Sequence, residues 1–358
     1  MTARTPLTVA VVGFGGMGGH HVDHLDELSY FEVKGIRDIR ESQELLAKKK
    51  DLHVYPDLQA VLDDRDVDVV LIATPNDSHR DIAVQAMRHG KHVICEKPVA
   101  MNAAEMEEIM QVEQETGQVF VVNQNRRWDE DYLSVKKLRD EETIGEVFHT
   151  ECRIHGSRGI PGDWRQKKAQ GGGMLLDWGV HLVDRQLLMF PERVTDVNCT
   201  FQHIRNAEVD DGFRLTLTFE SGKTSYMEVG TFNYVALPLW YVNGTKGSAV
   251  IHSWDMDGKV TRLETDREPD ARPIKAGAGL TKTMAPRFDD GTVKDLPVPR
   301  VDASIHEFYD NVYETIHGRS EIIVKNDEVL RVMRLLEKAF ESAETLQTVK
   351  FEAPVNAI

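Results

Sequence analysis

Cysteine is scarce in this sequence. Only Cys95, Cys152 and Cys199 occur, an odd number set far apart, which argues against a disulfide framework and against a cysteine-rich zinc motif. No run of about 18 apolar residues is present, so no helix is expected to span a membrane. Basic residues fall short of acidic ones, 43 against 59, for a formal charge of −16. Such a surface repels nucleic-acid phosphates, and a small-molecule partner is expected instead. The stretch from Met1 to Pro6 lacks the apolar core and small-residue cleavage site of a secretory signal. The cytoplasm is therefore the expected compartment.

What is present is a strong alternation of short apolar runs with amphipathic stretches. Residues 8–12, 33–37, 67–73, 92–95 and 119–122 read as buried strands. Helices are expected between them, to about Leu28 and over 41–50, 57–62, 77–89 and 102–116. Strands alternating with helices at this spacing predict an α/β doubly wound parallel sheet. The pattern changes near Asn125. After a helix over 129–140, strands are expected over 147–155, 195–205, 213–220, 224–230, 239–243 and 248–254, with one helix over 174–190. Turns such as Glu220-Ser221-Gly222 join them, predicting a large open, mainly antiparallel sheet. Residues 266–298, rich in proline, glycine and charge, read as a long surface loop, and helices over 303–317 and 326–344 close the chain. Two domains are expected, 1–124 and 125–358, with the terminal helices able to pack back on the first.

The first loop reads Gly13-Phe14-Gly15-Gly16-Met17-Gly18, a G-x-G-x-x-G between a strand and a helix. In that context the first glycine allows a tight turn, the second lets backbone approach a pyrophosphate, and the third lets helix and strand pack closely. The helix N-terminus adds N–H groups and a positive dipole. Asp38 ends the second strand, 20 residues after Gly18, where a carboxylate accepts bonds from ribose hydroxyls and repels a 2′-phosphate. The N-terminal domain is thus expected to be a Rossmann domain binding NAD in preference to NADP, although Arg37 and Arg40 flank Asp38 and could pair with a 2′-phosphate.

Glu96-Lys97-Pro98 ends the fourth strand, and open parallel sheets bind ligands beyond the carboxyl ends of their strands. Lys97 should therefore stand near the nicotinamide, with Glu96 as a residue able to hold it; alone, the pair is also what a surface turn would carry. A second island runs from Gly171-Gly172-Gly173 to Asp177 and His181. Asp177 and His181, at i and i+4, are expected on one helix face, where an acid that orients an imidazole makes a general base. Arg153 and His155 share one side of a strand by period two. Trp164 could stack on a sugar face, and Arg158, Asp163 and Arg165 could bond hydroxyls; a structured surface loop fits the same segment equally well. His20, His21 and His24 form a cluster. No third ligand is apparent for an i,i+4 pair, so they read as a solvated helix face and no metal is expected.

Together these islands resemble the glucose–fructose oxidoreductase/inositol dehydrogenase/rhizopine catabolism (Gfo/Idh/MocA) family, in the same order over essentially the whole chain. The resemblance rests on Gly13–Gly18, Ala73-Thr74-Pro75-Asn76 with His79, Glu96-Lys97-Pro98, residues 123–128, and the Gly171–His181 island. It implies a Rossmann domain followed by an α/β domain whose open sheet makes oligomer contacts, hence a homo-oligomer. It implies that Thr74, Pro75, Asn76 and His79 line the nicotinamide side of the cofactor, and that Asn123 and Gln124 lie where cofactor and substrate regions meet, with Arg126 as a further substrate contact. It also implies that Lys97 touches the reacting hydroxyl while Asp177 and His181 complete the catalytic set. The expected activity is dehydrogenation of a secondary hydroxyl of a sugar, a glycoside at C3, or a cyclitol. A dinucleotide-sensing regulator and a sugar-to-sugar hydride shuttle with retained NAD are the competing readings.

Overall fold

The computed structural model describes residues 5–264, 274–276, 278–281 and 292–351. The chain begins β1 (Leu7–Val12), α1 (Gly16–Asp26), β2 (Phe31–Arg37), α2 (Glu41–Lys49), β3 (His53–Val54), α3 (Leu58–Asp63), β4 (Val69–Ile72), α4 (His79–Arg88), β5 (His92–Cys95), α5 (Ala103–Thr116) and β6 (Phe120–Val122). Among the described residues these strands form a six-stranded parallel sheet in the order β3-β2-β1-β4-β5-β6. All four residues of β4, Val-Val-Leu-Ile, are buried, as expected of a central strand in a parallel sheet covered by helices on both faces. The strand order reverses between β1 and β4, and the crevice at that point lies beyond the carboxyl ends of the strands. The glycine loop, residues 73–76, Glu96–Pro98 and residues 123–128 all emerge there, because each directly follows one of β1, β4, β5 and β6.

The chain continues with α6 (Glu130–Asp140), β7 (Val147–His155), α7 (Val180–Met189), β8 (Val194–Gln202), β9 (Gly212–Phe219), β10 (Thr224–Gly230), β11 (Trp240–Gly244), β12 (Gly247–Ile251), β13 (Gly258–Leu263), β14 (Ile274–Ala276), β15 (Gly279–Thr281) and β16 (Val293–Leu296). It ends with α8 (His306–Ile316), α9 (Asn326–Thr345) and β17 (Val349–Lys350). The second sheet has nine strands among the described residues, in the order β16-β13-β12-β11-β7-β10-β9-β8-β17. It is antiparallel except where β7 and β10 run side by side in parallel.

Along β7 the buried residues Thr150, Cys152 and Ile154 alternate with half-buried Glu151, Arg153 and His155, so successive side chains face opposite sides. Helix α7 covers the first side: Thr150 Oγ1 lies 2.6 Å from Gln186 Oε1. Helix α9 packs on β8 and α7 and also against α5 and β6, touching elements of both sheets. Two features depart from the sequence reading. β13 and β16 pair at the sheet edge, and β16 lies within the stretch read as surface loop. There, ladder hydrogen bonding to an existing edge overrides a charge-rich composition of low strand propensity. β14 and β15 form a hairpin within the same stretch; residues 266–273, 277 and 282–291 of it lie outside the described residues. Among the described residues no helix is long and apolar enough to cross a membrane.

Candidate active site

At the end of β1 the chain turns at Gly13 with φ +94°, and a Cβ there would lie 2.5 Å from the Ala73 carbonyl oxygen. A Cβ on Gly18 would lie 2.0 Å from the Gly13 oxygen, so both positions accept only glycine. Gly15 is the N-cap of α1 and no side chain caps the helix; Gly16 faces open space and Met17 is half-buried. The buried Asp38 carboxylate accepts the Phe14 N–H at 2.8 Å and the Arg40 N–H at 2.9 Å. It also accepts Arg40 Nε and Nη2, each at 3.0 Å. Burial pushes Asp38 up, but the bonds from Arg40 and Phe14 outweigh it and hold the carboxyl below its usual range. The Arg40 guanidinium is 54% exposed and would stand 3.2 Å from a Cβ on Gly15. An open glycine turn, an uncapped helix N-terminus and an ionised acid at the end of β2 fit the phosphates and ribose of a dinucleotide.

The loops after β4 and β5 are tied to one another. Ser78 Oγ donates to Thr74 Oγ1 at 2.7 Å, Pro75 precedes a short turn of helix, and Asn76 Nδ2 donates to the Gly171 carbonyl at 2.9 Å. His79 is fully buried, with its ring nitrogens 2.9 Å from the carbonyls of Pro98 and Thr74. A neutral ring donates to only one of these carbonyls, and His79 is a strut joining two loops. Glu96 differs from expectation. Its carboxylate accepts Asn123 Nδ2 at 2.7 Å, faces His21 Nε2 at 2.9 Å and takes the Lys97 backbone N–H at 3.2 Å; it holds the loop and not the lysine ammonium. Burial raises Glu96, and His21, Lys97 and Asn123 more than offset it, leaving the group ionised. His21 is 1% exposed, not solvated, and its other nitrogen meets Tyr309 Oη at 2.7 Å. The sequence signal for this was the inner face of α1, where Gly18, His21, Val22 and Leu25 recur at helical spacing.

The lysine is held by the turn that leads into α7. Lys97 Nζ donates to the Asp177 carbonyl at 2.9 Å and to Asp177 Oδ1 at 3.1 Å. Asp177 Oδ2 receives Arg165 Nε at 3.3 Å. Burial alone would raise Asp177, but the charges of Lys97 and Arg165 outweigh it and the carboxyl sits below its usual range. Asp177 belongs to a π-helical turn, Leu175–Gly179, that runs into α7. The wider turn breaks the i,i+4 register, and the carboxylate is bonded to Lys97 and Arg165. The expected Asp177–His181 hydrogen bond is therefore absent. His181 is buried, with Nδ1 unpartnered. Burial, then the charges of Lys97, Arg126 and Arg185, drive its pKa well below the ordinary value, so the imidazole is neutral at neutral pH. Trp178 meets the His181 ring edge-on at 5.9 Å, and Arg126 lies 4.7 Å over Trp178.

Arg165 joins this cluster and stacks on Trp164 at 4.6 Å, bringing Trp164 beside it, while Arg158 is exposed. Arg153 and His155 are not brought in. They point to the open side of the second sheet, opposite Cys152 and α7, where Arg153 bonds Glu151 and lies 3.6 Å from Glu228, and His155 lies 3.8 Å from Glu228. Period two placed them together but could not say which face they share. The glycines of the 171–173 run meet protein: Cβ atoms there would lie 2.8 Å from Asn76 Nδ2, 2.3 Å from the Arg165 carbonyl and 2.3 Å from Asp210 Oδ1. Asp210, which the sequence reading overlooked, accepts the Leu175 N–H at 2.9 Å at the start of the π-helical turn, and burial pushes its pKa up to about 8. Asn123 Oδ1, both Gln124 side-chain polar atoms, Asn125 Oδ1, Arg126 Nε and His181 Nδ1 are buried without a protein partner, a concentration that ligand or water must satisfy.

A dinucleotide-binding sheet with a lysine and a neutral imidazole at its carboxyl edge defines an oxidoreductase site. Residues 7–124 match the oxidoreductase family with an NAD-binding Rossmann fold, and residues 132–250 match the Gfo/Idh/MocA C-terminal domain. The solved NAD-binding protein from Listeria innocua is 45% identical with a TM-score of 0.92, over 97% of this chain and 100% of that one. The scyllo-inositol 2-dehydrogenase (NADP(+)) IolW of Bacillus subtilis is 28% identical over 315 residues, 87% of this chain and 86% of that protein. D-glucoside 3-dehydrogenase of Escherichia coli is 30% identical over 213 residues, 53% of this chain and 59% of that protein. The chain belongs to the Gfo/Idh/MocA family and is an NAD(P)-dependent oxidoreductase acting on CH–OH groups.

Proposed function

We propose that this enzyme oxidises a secondary hydroxyl of a sugar or cyclitol, preferentially C3 of a glycoside, with NAD as acceptor. The observation that carries the reading is the Lys97 ammonium fixed on Asp177 at 3.1 Å beside a buried, neutral His181. The glycine loop and Asp38 would hold the dinucleotide, and its nicotinamide, when bound, supplies the hydride acceptor. Lys97 Nζ donates a hydrogen bond to the substrate oxygen and stabilises alkoxide character as it develops. His181 takes the hydroxyl proton at Nε2, its Nδ1 being enclosed, alone or in concert with Lys97. Asp177 orients the lysine, and so acts on the base through charge and not through a bond. Arg126, Arg165 and Trp164 offer donors and an aromatic face suited to a polyhydroxylated ring. Asp38 supports NAD over NADP by repelling a 2′-phosphate, with Arg40 as the residue that tempers this preference.

The test is to incubate the purified enzyme with NAD or NADP and a panel of glycosides, free hexoses and inositols while following the reduced-nicotinamide absorbance band. Reduction of NAD by a glycoside, with a 3-keto product by NMR, is the expected result. Dinucleotide binding without reduction by any polyol would overturn the reading. Turnover without added cofactor would instead identify a hydride shuttle.

A further inference from the structure

The outer face of α1 carries His20 and His24 at i and i+4, and Glu27, the residue that caps the C-terminus of the helix, follows at i+7 on the same stripe. Tertiary folding brings His306, the first residue of α8, against that stripe. His24 Nδ1 lies 3.3 Å from His306 Nε2, and His306 Nε2 lies 3.1 Å from Glu27 Oε2. One ligand atom from each of the three residues falls within 4.8 Å of the other two. A tetrahedral zinc with bonds of about 2.0–2.1 Å separates its ligand atoms by about 3.3–3.4 Å, so two edges of the set already have the spacing of a coordination shell.

We propose that His24, His306 and Glu27 form a divalent-metal site of the zinc class that ties α1 to α8. One set of tautomers is compatible with it. His24 Nε2 lies 2.9 Å from His20 Nε2. If His24 carries its proton at Nε2 and donates it to His20, Nδ1 is left with a lone pair aimed at the metal position, the second-sphere arrangement usual for a ligating histidine. His306 needs only to move its own proton to Nδ1. Glu27 is exposed while His24 and His306 are half-buried, so ions enter from solvent and water completes the shell.

The site would be structural. It sits over the seam in which the neighbouring His21 bonds both Glu96 and Tyr309, and so braces the cofactor helix against α8 at the loop that carries Lys97. The proposal does not depend on the substrate reading above. The sequence reading found no third ligand because His306 is 282 positions away from His24.

The test uses tag-free, chelator-stripped full-length enzyme titrated with Co²⁺ by visible absorbance and with Zn²⁺ by calorimetry. One equivalent of Co²⁺ should develop the intense bands of a four- or five-coordinate site, displaced by Zn²⁺, and Zn²⁺ should raise the unfolding temperature. His24→Ala and His306→Ala should each weaken binding by about 100-fold or more, and His20→Gln by about tenfold. Glu27→Gln, an exposed change that spares the fold, should also weaken Zn²⁺ and abolish its thermal effect. A Co²⁺ spectrum that stays that of the hexaaqua ion, or binding unchanged in Glu27→Gln and His306→Ala with native circular dichroism, would overturn the proposal.

Discussion

The carboxyl edge of the six-stranded sheet and the open face of the nine-stranded sheet are both crowded with charge, yet the charge is arranged differently. On the open face Glu151, Arg153, Arg214 and Glu228 pair largely with one another, although Arg153 Nε and His155 Nε2 are buried without a hydrogen-bond partner, and the neighbouring His155 together with Arg214 holds Glu228 down at about 2. At the carboxyl edge, Lys97 after β5 and Asp177 before α7 pair with each other while a neutral imidazole and a run of buried amide atoms have no protein partner. Paired charge stabilises a surface or an interface. Charge set beside unsatisfied polar atoms in a cleft is what a reacting ligand requires.

The sharpest way to break this contrast is Lys97→Ala. Its kcat/KM should fall about a thousandfold, with NAD binding, followed by fluorescence, unchanged. Unaltered turnover would remove Lys97 from the chemistry. Asp38→Ala should weaken NAD about ten- to hundredfold through the loss of charged hydrogen bonds and favour NADP, since Arg40 would then be freed; steady-state kinetics with both cofactors measures the switch.

A smaller effect concerns pH. Asp210 has a folded pKa raised to about 8, above its unfolded value. It binds a proton in the native state that it loses on unfolding, so its contribution is full below the unfolded carboxylate pKa and is lost as pH rises toward and through 8. His181, lowered by burial, acts in the opposite sense, and stability falls as pH drops below its ordinary 6.5. Below about 6.5 the two contributions oppose each other and above it only that of Asp210 remains, so unfolding midpoints should fall chiefly between about 6.5 and 8, and Asp210→Asn, which mimics the protonated acid, should remove that fall. The smallest effect is expected on the open face: Arg153→Ala should cost about 1–2 kcal/mol of stability and leave kcat/KM within about twofold. A large loss of turnover there would erase the distinction between the two faces.

Most of the first sheet was readable from the chain because each parallel strand is a short, continuously apolar run bounded by a turn. The functional loops then followed from a topological rule, since they leave the same ends of adjacent strands. The second sheet was readable as strands but not as a register: the parallel β7–β10 pair and the β13–β16 edge depend on ladder contacts between distant segments. The same limit governed the side chains. Lys97 and Asp177 were picked out as residues, yet their bond, and the lack of one between Asp177 and His181, required the π-helical turn that Asp210 secures.

By itself, the order of residues determined a dinucleotide loop, an acid at the end of the second strand, a lysine at a strand terminus and an acid–imidazole island, since each is a local pattern enforced by backbone sterics or strand-end chemistry. Tertiary structure alone decided which groups meet: His79 as a strut, Glu96 with His21, Lys97 with Asp177, Arg153 facing away, and His306 against α1. Those encounters depend on how helices and sheets rotate against one another as they bury apolar surface, and no short window of sequence contains that rotation.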